Sequence, residues 1–229
     1  MTHYAYPSTG QFKNVIKDVT SAFRKNQKFT FPILSFIGTV KLHGTNASIY
    51  KNFDNNDFIT QSKNNVITPE KDNYGFSSAI TPLKDQFEPL FEQIKKHNHD
   101  NLNTAVIYGE WCGGNIQPGV ALAELPPMFV VFGIKLTNGK DEQWLSYDLV
   151  QSIFHANKDN LNKSQVFCIY DFPTWKLDID FNHPQLVQNK LVDLTMQVEK
   201  ECPVSKQFGI SGVGEGIVWR NTTPCPELE

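Results

Sequence analysis

The chain has 229 residues, 40% hydrophobic, 12% aromatic and 20% charged, with 17 Phe. That composition excludes a disordered or fibrous chain and fits one globular domain with a substantial core. The formal net charge of −3 excludes a uniformly basic nucleic-acid coat, yet leaves room for a local basic groove. No apolar run approaches the roughly 20 residues of a membrane-spanning helix. The first 14 residues have no basic start followed by an apolar stretch, so no secretory signal is read. Cys112, Cys168, Cys202 and Cys225 are widely spaced, with no CxxC pair and no His at a zinc-ligand spacing. They point to reduced thiols in a cytoplasmic or other reducing compartment and not to structural zinc.

Phe12, Val15, Ile16, Val19 and Phe23 recur at spacings of three and four, which predicts an amphipathic helix docked on the core. Ile33 to Val40 reads as a buried strand. Asn46 to Tyr50 and Phe58 to Gln61 read as a hairpin around the polar Phe53–Asp57 turn. Residues 62 to 78, polar and carrying Pro69 and Gly75, read as a long surface loop. Leu83, Phe87, Leu90, Phe91 and Ile94 predict a second helix, ending in the polar stretch from Lys95 to Asn103. Thr104 to Tyr108 is a short β-branched strand entering Gly109-Glu110-Trp111-Cys112-Gly113-Gly114. Phe129 to Leu136 is another, turned by Asn138-Gly139 into Glu142 to Leu145. Next come a helix over Tyr147 to Ala156, a strand over Val166 to Tyr170 and a long helix from about Asn182. The last has Pro184 in its first turn and runs through Leu186, Leu191, Leu194 and Val198. The final strand, Gly216 to Trp219, is entered through the loop Gly209 to Gly214. No repeat, low-complexity tract or linker interrupts the chain, which reads as a single domain.

The stretch with the most chemistry is Val40-Lys41-Leu42-His43-Gly44-Thr45-Asn46, where a lysine stands at the mouth of a strand pair among small polar groups. A free lysine amine is a poor nucleophile near neutrality, because with a pKa of about 10.4 almost all of it is protonated. A reactive lysine needs a site that disfavours the ammonium, by desolvation or by nearby cations. Taken alone, Lys-x-His-Gly is also what a surface lysine at a hairpin end would look like. Its weight comes from an ordered set of companions further along the chain.

Lys41-Leu42-His43-Gly44-Thr45-Asn46 resembles the nucleotidyl-acceptor motif of covalent nucleotidyltransferases, the polynucleotide ligases and capping enzymes. His in the third place, with Thr-Asn after the Gly, resembles the RNA-ligase-2-like branch in particular. Later stretches resemble the family's further motifs in family order: Gln61-Ser62-Lys63-Asn64, the short basic motif; Tyr108 to Gln117, motif III; Phe129-Val130-Val131-Phe132-Gly133-Ile134, motif IIIa; and Glu215-Gly216-Ile217-Val218-Trp219-Arg220, motif IV. The resemblance implies an α+β nucleotidyltransferase (ATP-grasp-like ligase) domain, with two antiparallel sheets, flanking helices and a nucleotide cleft between them.

It also implies roles. The amine of Lys41 attacks the α-phosphorus of ATP and forms lysyl-AMP; AMP then passes to an RNA 5′-phosphate and a 3′-hydroxyl displaces it. His43 and Glu215 join Lys41 as catalytic residues. Leu42, Gly44, Asn46, Lys63, Glu110, Phe132 and Arg220 complete the nucleotide site, with Glu110 on the ribose and Phe132 stacked on adenine. Asn46 and Glu215 would meet a Mg²⁺ or Mn²⁺ ion. The implied partners are nicked or broken RNA ends, with no membrane. Two positions depart from the pattern: Val40 and Gly133 stand where acidic residues are common in the family. Lys63 stands where the family has Arg and lacks that residue's bidentate fork.

Family members continue into motif V, a Lys-x-Lys strand some twenty residues beyond motif IV. No such pair occurs between Arg220 and Glu229. The expectation is a single domain over residues 1–229 cut short before motif V, reacting with ATP weakly or not at all. Two alternatives stay open: a nucleotide- or RNA-binding module without turnover, and a related DNA ligase or mRNA-capping guanylyltransferase.

Overall fold

In a computed structural model of the protein, residues 2–8, 10–26, 28, 30–98 and 102–224 are described. The strands are β1 (Ile33–Val40), β2 (Gly44–Asn52), β3 (Phe58–Ser62), β4 (Val66–Ile67), β5 (Thr104–Cys112), β6 (Met128–Thr137), β7 (Glu142–Trp144), β8 (Val166–Cys168), β9 (Thr174–Asp180) and β10 (Ile217–Asn221). The α-helices are α1 (Phe12–Lys25), α2 (Phe76–Ile80), α3 (Lys84–Lys95), α4 (Tyr147–His155), α5 (Lys158–Lys163), α6 (Gln188–Lys200) and α7 (Pro203–Gln207). They build an α+β fold of two sheets, one in the order β10-β1-β9 and one in the order β4-β3-β2-β5-β6-β7. Every pairing is antiparallel except that of β8 with β6, which is parallel.

Each sheet buries one face against helices, because alternate residues of a strand point to opposite sides. On the small sheet, Leu34 and Phe36 of β1 and Leu177 and Ile179 of β9 pack on Val19 and Phe23 of α1. On the large sheet, Ile49, Ala105 and Ile107 join Phe76, Phe87, Leu90, Phe91 and Ile94 of α2 and α3 in the main core. The other face carries Tyr50, Val106 and Tyr108, and Tyr4, Tyr6 and Phe132 lie against them.

Several local expectations are corrected. Residues 62–78 are not one surface loop: they contain β4 and the start of α2, with Phe76 and Ser77 fully buried. Asp72 organises that turn, its carboxylate accepting from the backbone N–H groups of Asn73, Ser77 and Ser78. β5 continues four residues past Tyr108, because β2 pairs with it as far as Gly44↔Cys112. β8 ends at Cys168 and gives way to a 3₁₀ turn, Ile169–Asp171. The residues from Pro184 to Val187 are also 3₁₀, and α6 begins only at Gln188. The helices α5 and α7 and the strand β9 had no counterpart among the elements expected from the sequence. Cys112, Cys168 and Cys202 are free and buried, whereas Cys225 lies outside the described residues. No helix among the described residues is long and apolar enough to cross a membrane.

Candidate active site

Lys41, Leu42 and His43 form one of the two described crossings between the sheets, since β1 ends at Val40 and β2 begins at Gly44; the other, residues 169–173, joins β8 to β9. Leu42 is buried in the main core, while Lys41 is exposed and His43 half-buried. Anchoring the middle residue of an extended tripeptide turns its two neighbours outward together. The crossing must also pass close to β5. A Cβ on Gly44 would overlap the Trp111 carbonyl oxygen and come within 2.7 Å of Cys112 Cβ, so Gly44 is required by close approach.

The second strand of the small sheet delivers the partner. The Lys41 amide donates to Gly216 O at 2.8 Å, which extends the β1–β10 ladder by one pair and places Glu215 beside the lysine. Gly216 has φ +133°, a conformation that L side chains rarely adopt, so the turn into β10 depends on it. Lys41 Nζ donates to Glu215 Oε1, and His43 Nδ1 lies 3.1 Å from the other carboxylate oxygen.

Glu110 comes from the large sheet, directly opposite Asn46 in the β2–β5 register. Burial, and then the negative charge of Glu215, raises its pKa to about 8, despite opposing contributions from the Gly44 amide, Lys41 and Lys63. Near neutrality its carboxyl is therefore mostly protonated and able to donate a hydrogen bond as well as accept one.

Phe132 owes its position to an irregularity. In the β5–β6 register Tyr108 pairs with Gly133 and Gly109 with Val131, so Phe132 is skipped. Such a bulge re-aims a side chain, and Phe132 is the one residue of β6 that is not buried. Its carbonyl, between the stretches of β6 paired with β8 and β7, accepts from Arg220 Nη1 at 2.6 Å and from the Tyr170 hydroxyl at 3.1 Å. Arg220 also donates to the hydroxyls of Tyr170 and Tyr6, both at 2.6 Å. Burial pushes the Tyr170 phenol up to about 12, which keeps it a donor. A Cβ at Gly133 would lie 3.9 Å from Arg220 Nη1. Two tyrosine hydroxyls and a carbonyl thus receive the guanidinium beside the position where an acidic residue is common in the family.

These groups line a cavity of about 440 Å³ between the sheets, within the range of small-ligand sites. Lys41, Leu42, His43, Gly44, Asn46, Glu110, Phe132, Glu215 and Arg220 all contribute to its wall, and so does Val40. Lys63 does not: it is exposed outside the lining and reaches the site only through its electrostatic effect on Glu110. Sequence reasoning missed Tyr6, Thr39, Gln117, Ile169 and Val218. For Tyr6 a signal existed, the alternation of Tyr4 and Tyr6 in an otherwise plain N-terminus.

A family model described as RNA ligase matches residues 34–227, which is most of the chain. The chain belongs to the RNA ligase family. Solved structures of an RNA ligase from Naegleria gruberi share its fold. An arginine-to-alanine variant with ATP and Mn has a TM-score of 0.61 at 19% identity, covering 96% of this chain and 53% of that one. A lysine-to-methionine variant with AMP and Mn has a TM-score of 0.59 at 18% identity, covering 95% and 53%. At that identity the likeness establishes the RNA ligase fold. The chain spans about half the length of these structures. No curated relative matches it.

Proposed function

We propose that this chain is the adenylyltransferase part of an ATP-dependent RNA ligase, with Lys41 as the acceptor of AMP. The observation that carries the reading is the convergence of Lys41, Glu215 and Glu110 on one cavity where the two sheets meet. The Lys41 amine would attack the α-phosphorus and expel pyrophosphate; AMP would pass to an RNA 5′-phosphate and leave when a 3′-hydroxyl attacks. Positioning and charge neutralisation carry most of such a transfer. Lys41 attacks only as the free amine, and Glu215, its hydrogen-bond partner, is the base in contact with it. Phe132 offers a ring to the base, and Glu110 a carboxyl that can donate to or accept from ribose hydroxyls.

A divalent ion fits this site as a companion of the nucleotide. Among the described residues no three His, Cys, Asp or Glu side chains converge as a metal cage. Glu215 nevertheless offers a carboxylate in the cavity wall, and Mg²⁺ typically takes one or two carboxylates together with phosphate oxygens and water. Glu215 and Asn46 would hold it, and it would supply charge for the phosphates.

Turnover by the chain alone is expected to be weak. The cations in the cavity wall are Lys41 and Arg220, and Arg220 is engaged with Phe132, Tyr170 and Tyr6. A further lysine-bearing strand has a place to add. The bonds Lys41 N to Gly216 O and Thr222 N to Ser35 O turn the even-numbered residues of β10 toward β1. The backbone groups of Ile217 and Trp219 therefore point away, on an edge with no strand partner among the described residues.

Incubation with α-phosphate-labelled ATP or GTP tests the proposal, using the 229-residue chain and a version with a Lys-x-Lys strand appended. The expected result is label from ATP on the longer protein, little on the shorter one and none on Lys41→Ala. Label from GTP would favour a capping enzyme, and nucleotide binding without label a binding module. Label that survives Lys41→Ala would overturn the assignment.

A further inference from the structure

Residues 2–8 form a strap across the face of the large sheet that bounds the cavity. His3 Nε2 lies 3.1 Å from Ser62 O on β3. The Tyr4 amide donates to Gln61 Oε1 at 2.8 Å, and Gln61, wholly buried, gives its own amide to Ser48 Oγ at 2.8 Å. Tyr4 meets Tyr50 of β2 edge-on at 5.1 Å. Tyr6 then reaches Tyr108 of β5, Phe132 of β6 and Trp144 of β7, with centroids at 5.3, 4.9 and 5.6 Å. Its hydroxyl accepts from Arg220 of the small sheet. One side chain of the strap thus touches three strands of one sheet and a strand of the other, and it lines the cavity.

The hydrogen-bond inventory of that hydroxyl is unequal. A phenol has one proton to give and lone pairs to receive with. Arg220 occupies the receiving side, and among the described residues no acceptor takes the proton. A neighbouring cation that donates to a hydroxyl also polarises its O–H bond toward the next acceptor. The ring is steeply inclined to that of Phe132, interplanar angle 68°, and both residues line the cavity.

We propose that Tyr6 is a base-positioning residue, donating its hydroxyl proton to a ring-nitrogen acceptor on the edge of a purine stacked against Phe132. The inference rests on the nucleotide reading of the cavity and extends it to a contact supplied by the N-terminal strap. Tyr6 fixes how far and at what angle the base enters, and the strap's bonds to Gln61 hold Tyr6 in register.

Calorimetric titration of the 229-residue chain and of Tyr6→Phe with AMP and with 1-deaza-, 3-deaza- and 7-deaza-AMP tests this. Tyr6→Phe keeps the ring contacts and removes the hydroxyl, both its proton and the oxygen that accepts from Arg220; only loss of the proton predicts a change in preference among the analogues. The expected result is that the native chain binds one deaza analogue about threefold to tenfold more weakly than AMP, the worth of one hydrogen bond. Tyr6→Phe should bind AMP more weakly by a similar factor and lose the preference against that analogue. A general loosening of the fold would weaken all four ligands alike and leave the preference in place. The proposal is overturned if the native chain treats all three analogues as it treats AMP, or if Tyr6→Phe retains both affinity and preference. If the native chain binds no AMP, the nucleotide reading itself fails, and this inference with it.

Discussion

Glu110 shows at the scale of one residue how a site opposes the stability of its fold. Its carboxyl titrates near 8 in the folded chain and in the usual carboxylate range when unfolded. Between those values the folded state holds a proton that the unfolded state has released, so stability falls as pH rises through that window. Below it the residue costs nothing; above it the whole penalty is present. Glu110→Gln should therefore leave urea stability unchanged near pH 4 and raise it by about 1–3 kcal/mol near pH 9. The same substitution should weaken AMP binding at every pH. A stability gain that is largest in acid would contradict the assignment of burial and Glu215 as the cause. None of this was legible in the sequence, where Glu110 is a carboxylate between turns and its distance from Glu215, 105 positions later, is unknowable.

At the scale of elements, the crossing between the sheets is the constrained feature. Gly44 faces the Trp111 carbonyl across the β2–β5 ladder, and added volume there meets that oxygen and the Cα and Cβ of Cys112, none of them the far end of a flexible side chain. Gly44→Ala is expected to cost about 1–3 kcal/mol, as overpacking does, and to weaken AMP binding because Lys41 and His43 shift with it. Gly139 offers the comparison. It lies in the β6–β7 turn at φ +89° with nothing within 4 Å of an added Cβ, so Gly139→Ala should lose about 1 kcal/mol from backbone strain alone. AMP titration and thermal unfolding of the two variants separate the cases; equal AMP affinity in both would show that the crossing does not position the site. The sequence placed the crossing well, because the apolar run Ile33–Val40 is broken by Lys41, His43 and Gly44 before the next run through Tyr50. It missed β9, although Trp175, Leu177 and Ile179 alternate with polar residues as a half-buried strand should. It cut β5 short because Gly109 looks like a terminator. In the fold that glycine is needed for packing, since a Cβ there would come within 2.5 Å of the Phe129 ring.

For the whole molecule, the cavity is a joint. Its walls come from two sheets, linked by the chain crossings at residues 41–43 and 169–173, by Ile37 and Val40 of β1 packing into the main core, and by Arg220 reaching Phe132, Tyr170 and Tyr6. A nucleotide bound between the walls would tie them together, and local opening there would require losing it. Amide hydrogen exchange with and without ATP should show slower exchange on both sides at once, at residues 40–44 and 214–220 of the crossing and β10, and at 108–112 of β5. Protection confined to one sheet would place the ligand on one wall and end the bridging picture.

The sequence by itself determined the order of the motifs, the amphipathic helices and most of the strands. These arise from local periodicity and turn chemistry, which act over a few residues. It also marked Lys41, Glu110, Phe132 and Glu215 as a set, through their resemblance to an ordered family pattern. Only the tertiary structure decided that Lys63 stands outside the cavity wall, that Arg220 is engaged by two tyrosines, and that Tyr6 closes the site from the N-terminus. Those facts depend on strand register, on the bulge that skips Phe132, and on contacts between residues up to 214 positions apart. Such contacts form only when the two sheets pack, and no window of sequence contains both partners.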